Sequence, residues 1–280
     1  MTTPTDNPAP GGGAARIEKV EDYFDANAQS WSDLYSRAER VNDLVLRDRK
    51  DVAVRFLDQL LEPGSRILDA GCGAGLCALD LMRRGHTIHG ADISQKMLDL
   101  AAKTFEEQGI APDRYVLSRR DVIESGFADG SFDGVSALGF LQYQADEARM
   151  LNELHRILRP GGVLVLSGPS GTRIANYFGL AQFLRRLRNR EAGVLPPEHR
   201  VLTEISTHEY STGRLKRLVA DAGFEPLDTL GHGYVNFAFI GPRLGFKGER
   251  LLHRSLTRLS RVLPFIRSWA NDVMIVARRG

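Results

Sequence analysis

The chain has 280 residues, 42% of them hydrophobic, 8% aromatic and 26% charged, with a formal net charge of +2. That composition supports a sizeable core and excludes a disordered chain, a collagen-like fibre and a small disulfide scaffold. No apolar run approaches the ~18 residues of a membrane span, and MTTPTDNPAPGGGAA lacks the basic and apolar regions of a secretory signal, which fits a disordered leader over 1–16.

Residues 17–62 read as a helical lid. Val20, Tyr23, Phe24, Trp31, Leu34 and Tyr35 recur at helical spacing, and a second helix runs to about Leu61 before Pro63-Gly64. Strands and helices then alternate. Strands are expected at Arg66–Ala70, Thr87–Ala91, Tyr115–Leu117 (ending near Asp121), Phe132–Leu138 and Gly162–Ser167, the last after a Pro160-Gly161 turn. Helices are expected at Ala78–Arg84, Lys96–Gln108 and Ala145–Leu158. This alternation implies parallel strands, right-handed crossovers and helices on both faces of the sheet. Residues 169–210 break the pattern with an amphipathic stretch, FGLAQFLRRLRNR, and a Pro196-Pro197 loop. A helix at Thr212–Ala222, a sixth strand near Pro226–Leu230 and a seventh at Asp272–Ala277 complete the domain over 63–280. Between the last two strands a helix at Glu249–Val262 should set Leu252, Leu256, Leu259 and Leu263 on one side and Arg250, Arg254, Arg258 and Arg261 on the other.

The most informative stretch is Leu68-Asp69-Ala70-Gly71-Cys72-Gly73-Ala74-Gly75. Alternating glycines between a strand and a helix let the backbone approach a ligand, and the helix beyond offers unpaired N–H groups. Asp92 ends the second strand, where it can accept both hydroxyls of a ribose. Asp121 ends the third strand, placed to accept from an adenine amino group. Gly73–Ala78 also satisfies G-x-G-x-x-A, the nicotinamide-dinucleotide pattern. Against that reading, Asp69 would repel a pyrophosphate but suit an ammonium group. Asp121 has no required job in a dehydrogenase, and such a fold needs further parallel strands after the fifth.

LDAGCGAG, GADIS, SRRDV, FDGVSALGFLQY, LHRILRPGGVLVLS and YSTGRLKRLVADAGFEP together resemble the blocks of class I S-adenosylmethionine-dependent methyltransferases. The resemblance covers about residues 20–170 and 205–231 and the last strand. It implies a Rossmann-like, doubly wound α/β sheet of seven strands, mostly parallel with the last antiparallel. It also implies S-adenosyl-L-methionine as cofactor, S-adenosyl-L-homocysteine as product, and no metal. Asp69, Gly71, Gly73 and Gly75 would surround the methionine part. Asp92, with Ile93 and Met97, would take the ribose side, Asp121 and Val122 would bound the adenine, and Leu138 and Gly139 would sit beside the methyl group. The opening YFDANAQSWSDLY resembles the lid of quinone and magnesium-protoporphyrin O-methyltransferases, which implies that Tyr23, Trp31 and Tyr35 close over the sulfonium; the same rings can pack the lid helices together, and both roles can hold at once.

A sulfonium methyl needs alignment and a dry site more than chemical activation. A hydroxyl acceptor would also need its proton removed. His199, His208 and Tyr143 are the candidates, and an acidic enol or phenol would need none. His155 reads as structural, and His86 and His89 have no better claim. The expected reaction is methyl transfer to a small, lipophilic metabolite at oxygen, with nitrogen or carbon acceptors, or a non-catalytic cofactor-binding scaffold, as alternatives. Insertions at about 169–207 and 233–271 would shape the substrate site, the second being where the chain departs from the resembled family. Charge is uneven, with 18 Lys/Arg against 9 Asp/Glu in residues 171–280 and 19 against 26 in residues 1–170. The basic C-terminal helices fit either peripheral contact with anionic lipid or simple packing with solvated arginines. Nucleic acid is disfavoured, because the basic residues lack interleaved surface aromatics. Only two cysteines occur, Cys72 and Cys77, with no metal-ligating residue between them, which fits a reduced, cytoplasmic protein.

Overall fold

The computed structural model describes residues 12–37, 41–172, 208–234 and 241–280. Seven strands form one sheet: β1 (Arg66–Ala70), β2 (Thr87–Asp92), β3 (Tyr115–Arg119), β4 (Phe132–Leu138), β5 (Leu158–Pro169), β6 (Phe224–His232) and β7 (Asp272–Arg279). Their order is β3-β2-β1-β4-β5-β7-β6. β1 to β5 pair in parallel, and β7 runs antiparallel between β5 and β6. The described helices are α1 (Gly12–Arg37), α2 (Val41–Leu60), α3 (Leu76–Arg83), α4 (Gln95–Glu107), α5 (Glu147–Ile157), α6 (Thr212–Asp221) and α7 (Gly241–Val262).

Helices cover both faces of the sheet, which is why β5 and β7 carry the apolar runs VLVL and VMIVA. On one face Met150, Leu151, Leu154 and Ile157 of α5 join Leu215 and Val219 of α6 against the strands. On the other, Ala53, Val54 and Leu57 of α2 pack with α3 and with Ala101 and Phe105 of α4. Each buried Val, Leu, Ile, Met or Phe among them contributes roughly 1.5–3 kcal/mol. α4, α5 and α6 start where short polar side chains cap them. Ser94 accepts from the Met97 N–H at 3.1 Å, Asp146 from Arg149 at 2.9 Å and Ser211 from Arg214 at 3.2 Å. Strand order runs one way from β1 to β3 and the other way from β4, so a crevice opens between them at the carboxyl edge.

Several boundaries differ from expectation. α1 begins at Gly12, inside the expected leader; residues 1–11 lie outside those described. β5 begins at Leu158, because the Pro160-Gly161 step is taken up as a register shift against β4 between Phe132 and Gly134 rather than as a turn before the strand. β3 stops at Arg119, and Asp121 instead caps a short 3-10 turn at Val122–Glu124.

The expected leucine face of α7 is also rotated. Leu256 and Leu263 pack on Tyr234, Ile266 and Ala270, and Leu252 is half-buried, but Leu259 is 43% exposed. The buried positions include His253 and Ser260. Polar tethers account for the rotation: His253 Nε2 is 2.9 Å from Asp48 on α2, and its Nδ1 accepts from the Tyr234 N–H at 3.3 Å. Of the 169–207 insertion, residues 173–207, including the FGLAQFLRRLRNR stretch and the Pro196-Pro197 loop, lie outside the described residues.

Candidate active site

The turn after β1 takes Gly71, Gly73 and Gly75 to φ of +69°, +52° and +76°. L side chains rarely adopt such values, which is why the turn is built of glycine. The N–H groups of Gly71 and Cys72 both donate to the Ala91 carbonyl, at 2.8 and 3.1 Å. Asp92 then ties the turn to the end of β2: its carboxylate accepts from Gly73 N–H at 2.9 Å and from Ser94 N–H at 3.0 Å. A carboxylate has about four acceptor positions, so both oxygens retain capacity for hydroxyl donors. Burial raises the Asp92 pKa, against the N–H groups that lower it.

Asp69 is the buried acid of the site. Burial pushes its pKa up to about 7; hydrogen bonds from Ser136 and the Ala78 N–H pull it down, and the Asp92 charge adds to the rise. Its Oδ2 is buried with no hydrogen-bond partner. A buried polar atom in that state is costly unless a donor reaches it, and an ammonium group would be such a donor. Asp121 accepts from the Ile123 N–H at 3.0 Å.

These three acids line one cavity of about 340 Å³ at the switch between β1 and β4. That volume lies within the usual range for small-molecule sites. Gly71, Gly73, Ile93, Met97, Val122, Leu138, Gly139, Trp31 and Tyr143 line it too. Gly75 does not. A Cβ there would lie 2.6 Å from Phe105 Cζ, so this glycine lets α4 pack against the turn. Tyr23 is buried beside the cavity rather than in its wall, with its ring 5.3 Å from Phe24. The side chain of Tyr35 lies outside those described.

The lid closes the cavity with Ile17, Val20, Phe24 and Trp31. The Phe24 ring is 5.9 Å from Trp31 and 5.4 Å, edge-on, from Tyr143. Arg16 donates to the carbonyls of Tyr143 and Gln142, Ser94 bonds Asp25, and Arg119 pairs with Glu21, so polar contacts frame the ring cluster.

The three expected proton acceptors stand in different places. His199 lies outside the described residues. His208 is absent from the cavity wall; its Nδ1 is 3.6 Å from Glu147, which also accepts from Tyr210 and Arg214. Burial lowers the His208 pKa despite Glu147, with Arg214 and Arg16 adding to the fall. Tyr143 lines the cavity, but burial pushes its phenol up to about 12, so it stays protonated near neutrality. His155 and His89 pack against Phe224 and Phe127 rings, and buried His86 lies 3.4 Å from Asp58.

Reading the sequence alone missed Arg49 and Asp272. Arg49 is 8% exposed and 3.2 Å from Asp272, and both line the cavity. A Cβ on Gly139 (φ +64°) would lie 3.1 Å from Arg49 Nη1, so this pair stands at the β4 end. Asp272 could have been found: β7 runs antiparallel, which brings its first residue to the same edge as the last residues of β1 and β4. Arg49 carried no such signal among the neighbouring charges of RDRKD.

Residues 68–166 match a family model described as a methyltransferase domain. A ubiquinone biosynthesis O-methyltransferase from Pseudomonas aeruginosa (strain LESB58) is 29% identical over 145 residues, 51% of this chain and 60% of that protein. The chain thus spans about three-fifths of the first curated relatives it matches. Among solved structures, magnesium protoporphyrin IX methyltransferase from Synechocystis PCC 6803 with bound SAH superposes with a TM-score of 0.64 at 19% identity, covering 95% of this chain and 100% of that one. The 1,6-didemethyltoxoflavin-N1-methyltransferase of Burkholderia thailandensis gives 0.61 at 17%, covering 99% and 93%. The glycine turn, the sheet order with its antiparallel β7 and the match over residues 68–166 converge on a methyltransferase domain in the Rossmann-like fold of the solved methyltransferases.

Proposed function

We propose that this protein transfers a methyl group from S-adenosylmethionine to a small, lipophilic metabolite, at oxygen. One observation carries the cofactor assignment: Asp69, Asp92 and Asp121 line a single cavity, and one buried oxygen of Asp69 lacks a donor. In this reading Asp69 meets the cofactor's ammonium group, Asp92 accepts from the two ribose hydroxyls, and Asp121 with Val122 bounds the adenine. Bound there, the cofactor supplies a methyl group already activated as a sulfonium. The chain's own part is to hold the acceptor in line and keep water out.

The lid rings Phe24 and Trp31 with Phe140 supply the apolar wall for that exclusion. Arg49 orients the acceptor, and the Asp272 carboxylate takes the hydroxyl proton. A carboxylate paired with a guanidinium is a weak base, which suits an acidic phenol or enol better than an aliphatic alcohol. The relative acting in ubiquinone biosynthesis supports oxygen as acceptor, and the likeness to an N1-methyltransferase supports nitrogen as the second reading. We place the reaction in a reducing compartment, the cytoplasm, on the strength of two buried free thiols, Cys72 and Cys77.

Radiolabelled methyl transfer to a panel of phenols, enols and amines tests the reading. Label on phenolic or enolic oxygen is the expected result. Label on amines alone would favour the nitrogen reading, and tight cofactor binding with no labelled product would leave a non-catalytic scaffold.

A further inference from the structure

The segment between β6 and β7 presents an outward surface that methyl transfer does not use. Leu251 is 68% exposed, Leu259 43% and Val262 76% on α7, and Phe265 is 59% and Trp269 37% exposed in the 3-10 helix that follows. At about 100° per residue, Leu251, Leu259 and Val262 share one outer arc of α7. Lys247, Arg254 and Arg258 hold the adjoining arc with Arg250 at its border, all exposed. The opposite side is the one that packs inward through His253, Leu256 and Ser260.

We propose that this surface docks on a bilayer containing anionic lipid. Large apolar side chains held in water beside a row of cations fit an interfacial helix, which sinks its apolar arc among acyl chains while Lys and Arg meet lipid phosphates. Trp and Phe at one end of the helix suit the headgroup level. Charge selects the partner: residues 241–271 hold Arg243, Lys247, Arg250, Arg254, Arg258, Arg261 and Arg267 against a single acid, Glu249. Among the described residues no helix is long and apolar enough to cross a membrane, so α7 would lie on the surface.

The placement ties docking to the cavity. His253 bonds Asp48, and the next residue of α2, Arg49, lines the cavity. A bilayer under α7 would therefore lie beside the lid, within reach of a lipophilic acceptor. That last link rests on the proposed function; the docking does not.

The test is sedimentation of the full chain with phosphatidylcholine vesicles, with and without phosphatidylglycerol, each variant also being titrated with S-adenosylhomocysteine. The expected result is binding to the anionic vesicles, about tenfold or more weaker on neutral ones and at ~0.5 M salt. R254A/R258A and, separately, L251E/V262E should each weaken it about tenfold or more while leaving S-adenosylhomocysteine affinity unchanged. Tryptophan emission should shift to the blue on anionic vesicles, and the shift should vanish in W269F. Absence of sedimentation, or sedimentation that neither double variant weakens, would overturn docking whatever the cofactor titrations give. So would a concentration-dependent dimer abolished by L251E/V262E with vesicle binding unchanged, which would make the face an interface between copies. Loss of S-adenosylhomocysteine binding in the unaltered chain would instead count against the proposed function.

Discussion

Gly73 and Gly75 sit two residues apart in one turn, both at positive φ, yet their missing Cβ atoms protect different things. A Cβ on Gly73 would meet nothing within 4 Å, on a residue that lines the cavity. G73A should therefore keep its stability within about 1–2 kcal/mol, the strain of the left-handed conformation, and lose cofactor affinity by tenfold or more. A Cβ on Gly75 would meet Phe105 at 2.6 Å and Ala101 at 3.0 Å. G75A should lose about 2–4 kcal/mol from strain and overpacking combined. Urea unfolding with cofactor titration of both variants checks the contrast. Asp69 makes a pH prediction. Its pKa is raised to about 7, so the folded apo protein holds a proton that the unfolded chain releases near 4. Stability from this group is present below about pH 4 and is lost as pH rises through 7. A cofactor ammonium favours the carboxylate, so binding should release a proton below pH 7 and tighten about tenfold or more between pH 5.5 and 7. Calorimetry in buffers of differing ionisation enthalpy measures that proton, and D69N should abolish both effects. D272N, for its part, should lower kcat about a hundredfold or more on an identified acceptor, with S-adenosylhomocysteine affinity within twofold.

At the scale of elements, the strands and the sheet-covering helices were legible because their signals are local. RILDA, a glycine turn and an amphipathic KMLDLAAKTFEEQ state their own structure through apolar runs and caps. The three acids were legible for the same reason, each lying at or just past the end of its strand: Asp69 within β1, Asp92 last in β2 and Asp121 two residues after β3. What stayed hidden depends on contacts distant in sequence. Arg49 meets Asp272 across 223 positions, and His253 turns α7 by reaching Asp48 across 205. The inward face of α7 therefore follows a histidine and a serine that no hydrophobic pattern announces, while Leu259 faces out. The lid lies between these cases. Its aromatic spacing predicts a helix, but that Phe24 rather than Tyr23 lines the cavity depends on Tyr143. F24A removes three ring contacts, each worth roughly 0.5–1.5 kcal/mol beyond area burial. It should weaken S-adenosylhomocysteine binding about tenfold and speed proteolysis within α1, with cofactor protecting the unaltered chain more than the variant.

For the whole molecule, the sheet sets where chemistry can occur. Reversal of strand order between β1 and β4 leaves one crevice at the carboxyl edge, and the antiparallel β7 delivers Asp272 to that edge from the far end of the chain. Lid, glycine turn and last strand thus border one cavity. A ligand that bridges them should stabilise the fold as a unit: at about a hundredfold excess over Kd, the gain is about 2.7 kcal/mol, or roughly 5–10 °C in Tm. S-adenosylmethionine and S-adenosylhomocysteine should each produce that shift, and NADH none. The most direct measurement is calorimetric titration of S-adenosylhomocysteine into the full chain and into D92A, which lacks the carboxylate that holds the glycine turn and, in this reading, the ribose. One site per chain in the unaltered protein, with affinity about a hundredfold weaker or undetectable in D92A, is the predicted result. Equal affinity in the two proteins, or no binding to either, would contradict it.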